Sequence, residues 1–427
     1  MLVSALLQNA QSVIDLFWVG RLGPAALAAV AMGGAVMMMV FPAIMGLSAG
    51  TIALVARSVG AGRPWEAGRV AGQSLLLALL VGAVTAGIGA VFSRSVLVLL
   101  DAAPEVADEG GHYLRILLAG SFTMNLLFVG NAALQGAGDT VRPMAFMATA
   151  AVLNIGLDPL LIFGIGPFPE LGVRGAAWAT VLAQAVAAIG LVAHLHRRRA
   201  RVRLRARLWR PDARQLGRIV RIGLPGSGQM LARSLVSLVL MRLVAGFGTA
   251  AVAAYGTAWR CFMVFLMPAF VLGAASATIV GQCLGAGRPR RARRAAWLAT
   301  GYDAAFIAVA ALGVVVYAPA VIGVFNDDPE VIRIGVRLLR IVAPSYLLAA
   351  PAIILGRSLQ GAGDTFWPMV ATVISLWGVQ LPLAVFASRG PDGRLDGIWW
   401  AMVLAIAVHA VLVTAWFETG RWQRREV

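Results

Sequence analysis

LQGAGDTVRPM at residues 134–144 returns as LQGAGDTFWPM at residues 359–369, an offset of 225. The same offset relates GAGRP at 60–64 to GAGRP at 285–289, and Pro104, Glu105 and Val106 to Pro329, Glu330 and Val331. It also relates Leu114, Arg115 and Ile116 to Leu339, Arg340 and Ile341. Widely spaced matches sharing one offset are the signature of internal repetition, so the chain reads as two homologous halves.

What the halves are made of follows from composition. Of 427 residues, 60% are hydrophobic and only 13% are charged, against about 25% charged in an average soluble domain. A water-exposed surface cannot be built from that balance, so a soluble protein is excluded. Apolar runs of roughly twenty residues, the length that crosses a hydrocarbon core, recur along the chain. They predict six helices per half, at 2–19, 26–56, 70–96, 111–136, 143–165 and 175–195, then 222–245, 251–283, 295–325, 332–360, 367–388 and 397–418. Six is even, so both halves cross in the same sense and form a parallel repeat. The expected fold is an all-α polytopic membrane protein of twelve transmembrane helices in two six-helix lobes. Residues 1–196 form the first lobe, 197–218 a basic linker, 219–420 the second lobe and 421–427 a tail. The offset pairs Met1 with Gly226, so the first helix lacks a counterpart of Arg218 to Pro225 and is expected to be clipped.

Basic residues number 36 against 19 acidic, a net charge of +17, and all the basic ones are arginine. In a membrane protein such an excess reads first as topology. Arginines crowd the linker, from Arg197 to Arg210, the loops holding Arg57, Arg63, Arg69 and Arg288 to Arg294, and the tail. The opposite loops carry Asp101, Glu105, Asp108 and Glu109, then Asp327, Asp328 and Glu330. Both termini are therefore expected on the cytoplasmic side, with anionic membrane lipid as the linker's ordinary neighbour and no nucleic-acid partner. No basic region followed by a short apolar core and a cleavage site opens the chain, so no removable signal peptide is expected. Cys261 and Cys283 have neither a CxxC spacing nor a histidine partner, and the four histidines make no metal-ligand spacing with carboxylates.

A carboxylate inside a span costs about 2.5–3.5 kcal/mol at the helix centre on insertion scales, so one that persists is a functional candidate. Asp15 lies in the first helix and Asp158 in the fifth. Asn154, four residues before Asp158, shares its helix face, Pro159 can loosen the backbone beside them, and Asn131 adds an amide to the fourth helix. The offset places Leu240, Val379 and Leu383 where the first half has Asp15, Asn154 and Asp158. Residues serving architecture alone would recur in both copies. A buried carboxylate pair can exchange protons near neutral pH or hold a desolvated Na+ with amide oxygens, and either event can bias a proline-weakened helix between two shapes. Asp303, near the start of the ninth helix, reads as interfacial.

The two GAGDT segments lack GxxxxGK[ST] spacing and there is no lysine to reach a phosphate. They read as tight turns, with glycine ending one helix and Asp139 or Asp364 capping the next. No nucleotide or other cofactor is expected to drive the machine, which leaves secondary transport with H+ or Na+ as the coupling ion. Phe17, Trp18, Met37, Trp178, Trp259 and Met263, with the polar Gln229, are candidate cavity-lining residues for lipophilic cations. Pro42 and Pro268 occupy near-equivalent places in the second and eighth helices and, with Pro159, are candidate hinges.

DLFWVGRLGPAALAAVA at 15–31, PAIMGLSAGTIALVARSVGAGRP at 42–64, ALQGAGDTVRP at 133–143, LNIGLDPLLIFG at 153–164, GVRGAAWATVLAQ at 172–184 and MPAFVLGAASATIVGQCLGAGRP at 267–289 together resemble the multidrug and toxic compound extrusion (MATE) transporters of prokaryotes. The likeness covers almost the whole chain. It implies twelve helices in two lobes about a V-shaped cleft, in a prokaryotic inner membrane, exporting small cationic or amphipathic compounds in exchange for H+ or Na+ by alternating access. It further implies that Asp15, Asn131, Asn154 and Asp158, with Thr180, match the cation-coupling cluster of the first lobe. Where some relatives carry acids in the second lobe, this chain has Gln229 near the first such place and no acid in the tenth helix. The chain is expected to work as a monomer. The alternative within the superfamily is a flippase for lipid-linked sugars, for which Arg233, Arg242 and Arg260 are the candidate pyrophosphate contacts. An intramembrane enzyme is disfavoured, because no Ser-His, Cys-His or metal constellation lies at membrane depth.

Overall fold

The computed structural model describes residue 11 and residues 13–197, 202–204, 210–389 and 395–425. Among these the chain is helical almost throughout, and it divides into two compact units, Met1–Ser227 and Gly228–Val427. Ten helices are long and apolar enough to cross a membrane, and a bent pair supplies an eleventh. Much of the first predicted helix, and of the linker's arginine run, lies outside the described residues.

Unit 1 begins with a helical segment at 13–20 and continues through α1 (Pro24–Gly60), α2 (Pro64–Leu99), α3 (Pro104–Ala119), α4 (Ser121–Gly136), α5 (Val141–Phe163) and α6 (Val173–His196). Proline opens α1, α2 and α3 at the first turn, where its missing N–H costs nothing. Gly164 ends α5 in the left-handed conformation. α5 packs on α6, and α2 on α3.

The predicted single helix over 111–136 is instead two, bent by 43° between α3 and α4. The hydroxyl of Thr123 donates to the Gly120 carbonyl at 2.8 Å, and a Cβ at Gly120 would lie 2.3 Å from Val181. A side-chain bond at the break and close packing of α6 against it give the kink identifiable causes.

The next helix, α7 (Ala213–Ala245), starts in unit 1 and ends in unit 2. Its first half lies on α1 so closely that a Cβ on Gly46 would meet Gly223 O at 2.3 Å and Ser227 Oγ at 2.0 Å. Small residues at such a crossing let backbones approach where lipid supplies no hydrophobic drive between helices.

Unit 2 continues with α8 (Thr249–Gly285), α9 (Pro289–Val316), the short α10 (Ala318–Gly323), α11 (Pro329–Val342), α12 (Tyr346–Gly361), α13 (Phe366–Val373), α14 (Leu381–Arg389) and α15 (Leu395–Glu418). α12 packs between α8 and α15. Between α13 and α14 the stretch Ile374–Gln380 is π-helical. This interrupts the predicted helix over 367–388 without ending it.

The repeated turns keep one geometry. Gly62 and Gly287 have φ of 71° and 68°, and Gly138 and Gly363 have 81° and 86°, values that favour glycine. The aspartates that follow diverge. Asp139 accepts from Arg142 N at 3.1 Å and pairs with the Arg142 guanidinium at 2.7 Å, as expected of a cap. Asp364 is buried and is held by Trp416 Nε1 at 2.9 Å and by Arg425, so it anchors the end of unit 2 instead of capping α13.

Candidate functional site

The polar residues of unit 1 converge from three elements. Segment 13–20 carries Asp15, α5 carries Asn154 and Asp158, and α6 carries Thr180. Asn154 and Asp158 are fully buried. The Asp15 and Asp158 carboxyls lie within interaction range of one another. Two carboxyl groups placed close together can bond to each other only by sharing a proton, because an ionised carboxylate offers acceptors alone. Asn154 Nδ2 lies 3.3 Å from Asp158 Oδ1 and 3.3 Å from Thr180 Oγ1, to both of which it donates. The Thr180 hydroxyl donates onward to Ala176 O at 3.1 Å. The helical spacing of four between Asn154 and Asp158 makes their bond possible.

Three oxygens of this cluster are buried without a donor among the described residues: Asp15 Oδ1, Asn154 Oδ1 and Asp158 Oδ2. Asn131 on α4 is buried; among the described residues its Oδ1 also lacks a donor and no side-chain bond joins it to the acids. Beside Asn154 and Thr180 lies a cavity of about 40 Å³, walled also by Gln11, Phe128, Met147 and Gln184. That is room for one or two water molecules. The arrangement can hold one proton between the acids, and its donor set of carboxylate and amide oxygens also suits a hard monovalent cation.

Pro159 follows Asp158 directly inside α5. Having no N–H, it cannot satisfy the carbonyl four residues earlier, so the backbone is weakened at the acid itself. Pro42 and Pro268 lie inside α1 and α8, and Pro225 and Pro351 lie inside α7 and α12 in the same way.

The candidate cavity-lining residues have varied settings. Phe17 and Trp18 stack edge-on at 5.1 Å with Arg21 over both rings. Met37 packs against the cluster of Leu97, Ala107, Leu114 and Leu118. Trp178 on α6, and Trp259 and Met263 on α8, are exposed. Gln229 belongs to a polar network in unit 2: its Nε2 donates to Thr372 Oγ1 at 2.8 Å and to Pro368 O at 3.1 Å.

One feature was not legible as a site feature in the sequence. Tyr113 on α3 lies in the electrostatic range of both Asp15 and Asp158; nothing in its local sequence marks it. Asp303, the weaker candidate, lies midway along α9 and is fully buried, and both its oxygens lack a donor among the described residues.

Comparison with known proteins agrees with this geometry. The MatE family model matches residues 1–160 and 225–386. Over 431 residues the chain is 28% identical to the protein named "Probable multidrug resistance protein YoeA" of Bacillus subtilis, covering 100% of this chain and 93% of that one. It is 29% identical over 406 residues to a protein of Shewanella oneidensis named "FAD transporter", covering 94% and 88%. A crystal structure described as MATE in the bent conformation superposes with a TM-score of 0.91 at 27% identity, covering 98% of this chain and 92% of that one. Two repeated helical units, and relatives of full length in both sequence and structure, place this chain in the MatE family of membrane transporters.

Proposed function

We propose that this protein is an ion-coupled exporter of small amphipathic molecules, cationic ones included, working by alternating access in a prokaryotic inner membrane with both termini on the cytoplasmic side. The observation that carries the proposal is the buried Asp158, bonded by Asn154 to Thr180 and lying within interaction range of Asp15. Taking up H+ or Na+ there changes the local charge by one, next to a backbone that Pro159 weakens. A ligand shifts a two-state equilibrium only as far as it binds one state better, and a buried acid pair meets that requirement steeply. In this reading the outward-open protein takes the ion, the leading helix and α5 change shape, and substrate contacts weaken outward. The relatives named for multidrug resistance and for FAD support small organic molecules as cargo. The loops rich in arginine support the proposed orientation.

The test is efflux of ethidium from proteoliposomes with pH and Na+ gradients imposed separately. One gradient is expected to drive efflux in the absence of the other. Efflux that follows neither gradient would remove ion coupling from the account.

A further inference from the structure

Among the described residues unit 2 shows no buried pair of acids, but it holds two arginines that the ion-coupling reading leaves unused. Arg233 lies mid-way along α7 and Arg357 near the end of α12; both are exposed, and each guanidinium is within electrostatic range of the other. Neither pairs with a carboxylate among the described residues. Three acids of unit 2 are engaged elsewhere: Asp364 with Arg425, Asp396 with Arg337 and Glu418 with Arg293.

What touches the two arginines is neutral and itself anchored. Arg357 Nη1 donates to Gln360 Oε1 at 3.3 Å, Gln360 Nε2 donates to Gln229 Oε1 at 2.8 Å, and Gln229 reaches Thr372 and Pro368 O. The stem of Arg357 lies over Gly273, where a Cβ would meet its Cγ at 3.0 Å. Arg233 Nη2 lies 3.4 Å from His409 Nε2, and His409 Nδ1 lies 3.2 Å from Ser375 Oγ. The Ser375 hydroxyl donates to Thr372 O at 3.2 Å. Ser375 must then accept from His409 Nδ1–H, which leaves Nε2 as an acceptor for Arg233. Both relays therefore end on backbone carbonyls of α13, and both orient a guanidinium without neutralising it.

Charged residues within membrane-spanning helices are rare and mark pathways for ions or substrates, and two arginines with no carboxylate partner suit a visiting anion. The repeat sharpens the point, because under the offset of 225 Arg233 and Arg357 correspond to Gln8 and Ala132. Arginines needed for packing alone would be expected in both halves. Beside Arg233, the indole of Trp377 on the π-helical stretch donates to Ala232 O at 3.2 Å and leaves its ring 38% exposed. An aromatic face next to paired guanidiniums suits a ring system that carries a phosphate, sulfonate or carboxylate.

We propose that Arg233 and Arg357 form an anion-recognising site in unit 2, and that the molecules carried by this protein include aromatic amphiphiles bearing a phosphate or comparable anionic group. This rests on the reading of the chain as a small-molecule exporter and specifies its cargo.

The test compares riboflavin with riboflavin 5′-phosphate, which differ only in the phosphate, by quenching of flavin fluorescence on the purified full-length protein. The phosphate is expected to tighten binding about tenfold or more, as charge-assisted bonds to two arginines would. The variant Arg233→Gln/Arg357→Gln is expected to bind both flavins equally, and Arg233→Lys/Arg357→Lys to keep most of the preference. Equal binding by the unaltered chain, or a preference surviving in the glutamine variant, overturns the proposal. A lysine variant without preference would do so too, since it keeps both charges. Equilibrium binding needs no gradient, so failure of ion coupling in the ethidium experiment leaves this result standing, and the reverse also holds.

Discussion

Asn154 donates to Asp158 at 3.3 Å across one turn of α5. With its second bond to Thr180 on α6, the amide ties the buried acid to a neighbouring helix. The ion coupling proposed above requires a mechanical link of this kind between the acid and a helix.

Replacing Asp158 by Asn removes the ionisable group while keeping its shape. Gradient-driven efflux of ethidium is expected to fall by at least about tenfold, with the protein still monodisperse in detergent, because an amide cannot take up and release the coupling charge. Undiminished efflux would remove Asp158 from the mechanism.

Asn154→Ala deletes both hydrogen bonds of the amide. The expected loss is about 1–3 kcal/mol of stability, the cost of leaving buried partners unpaired, seen as a lower melting temperature. Efflux should also fall, but less than in the Asp158 variant, since the acids remain. An unchanged melting temperature would show that the amide does not bind the two helices together.

Gly361→Val tests the crossing of α12 and α8. A Cβ there would lie 2.1 Å from Ala277 O, a backbone atom that cannot swing aside. Overpacking of this kind costs typically 1–3 kcal/mol and can cost more, so the yield of folded protein from membranes should drop sharply. Gly156→Ala, where a Cβ meets nothing within 4 Å, should be tolerated.

Asp364→Ala releases both Trp416 and Arg425. Breaking a buried charge pair from one side is strongly destabilising. The residues after α15 should then be removed by trypsin at Arg421 and Arg424 faster than in the unaltered chain. Asp139→Ala, at the matching place of the other repeat, loses only a local pair and should change little.

Asp303→Leu replaces a buried carboxyl whose oxygens have no donor among the described residues. An unsatisfied polar group in an apolar setting costs roughly 1–3 kcal/mol on mutational scales, so the leucine variant should melt at a higher temperature. A lower one would mean that the acid has a partner that matters for stability.

The two-lobe helical plan was legible because hydropathy and repetition are local, additive properties of the chain. Length of apolar runs predicts spans, and a shared offset needs no geometry. The acids were legible for a related reason: charge in a span is so costly that its presence points to use. Tyr113 gave no such signal, since a tyrosine in an apolar helix is ordinary, and only packing brings it near the acids. The bend at Gly120 and the π-helical stretch at Ile374–Gln380 were equally silent, because they depend on what lies across from them.

The two LQGAGDT segments show where that boundary falls. Their shared residues dictated the same turn, with Gly138 and Gly363 in the same left-handed conformation, because backbone sterics act within a few residues. Whether the next aspartate capped a helix or was buried against Trp416 and Arg425 was decided by chain lying 52 and 61 residues further on. The approach of Asp15 to Asp158 was decided in the same way, since their interaction depends on separation in space, which spacing along the sequence does not specify.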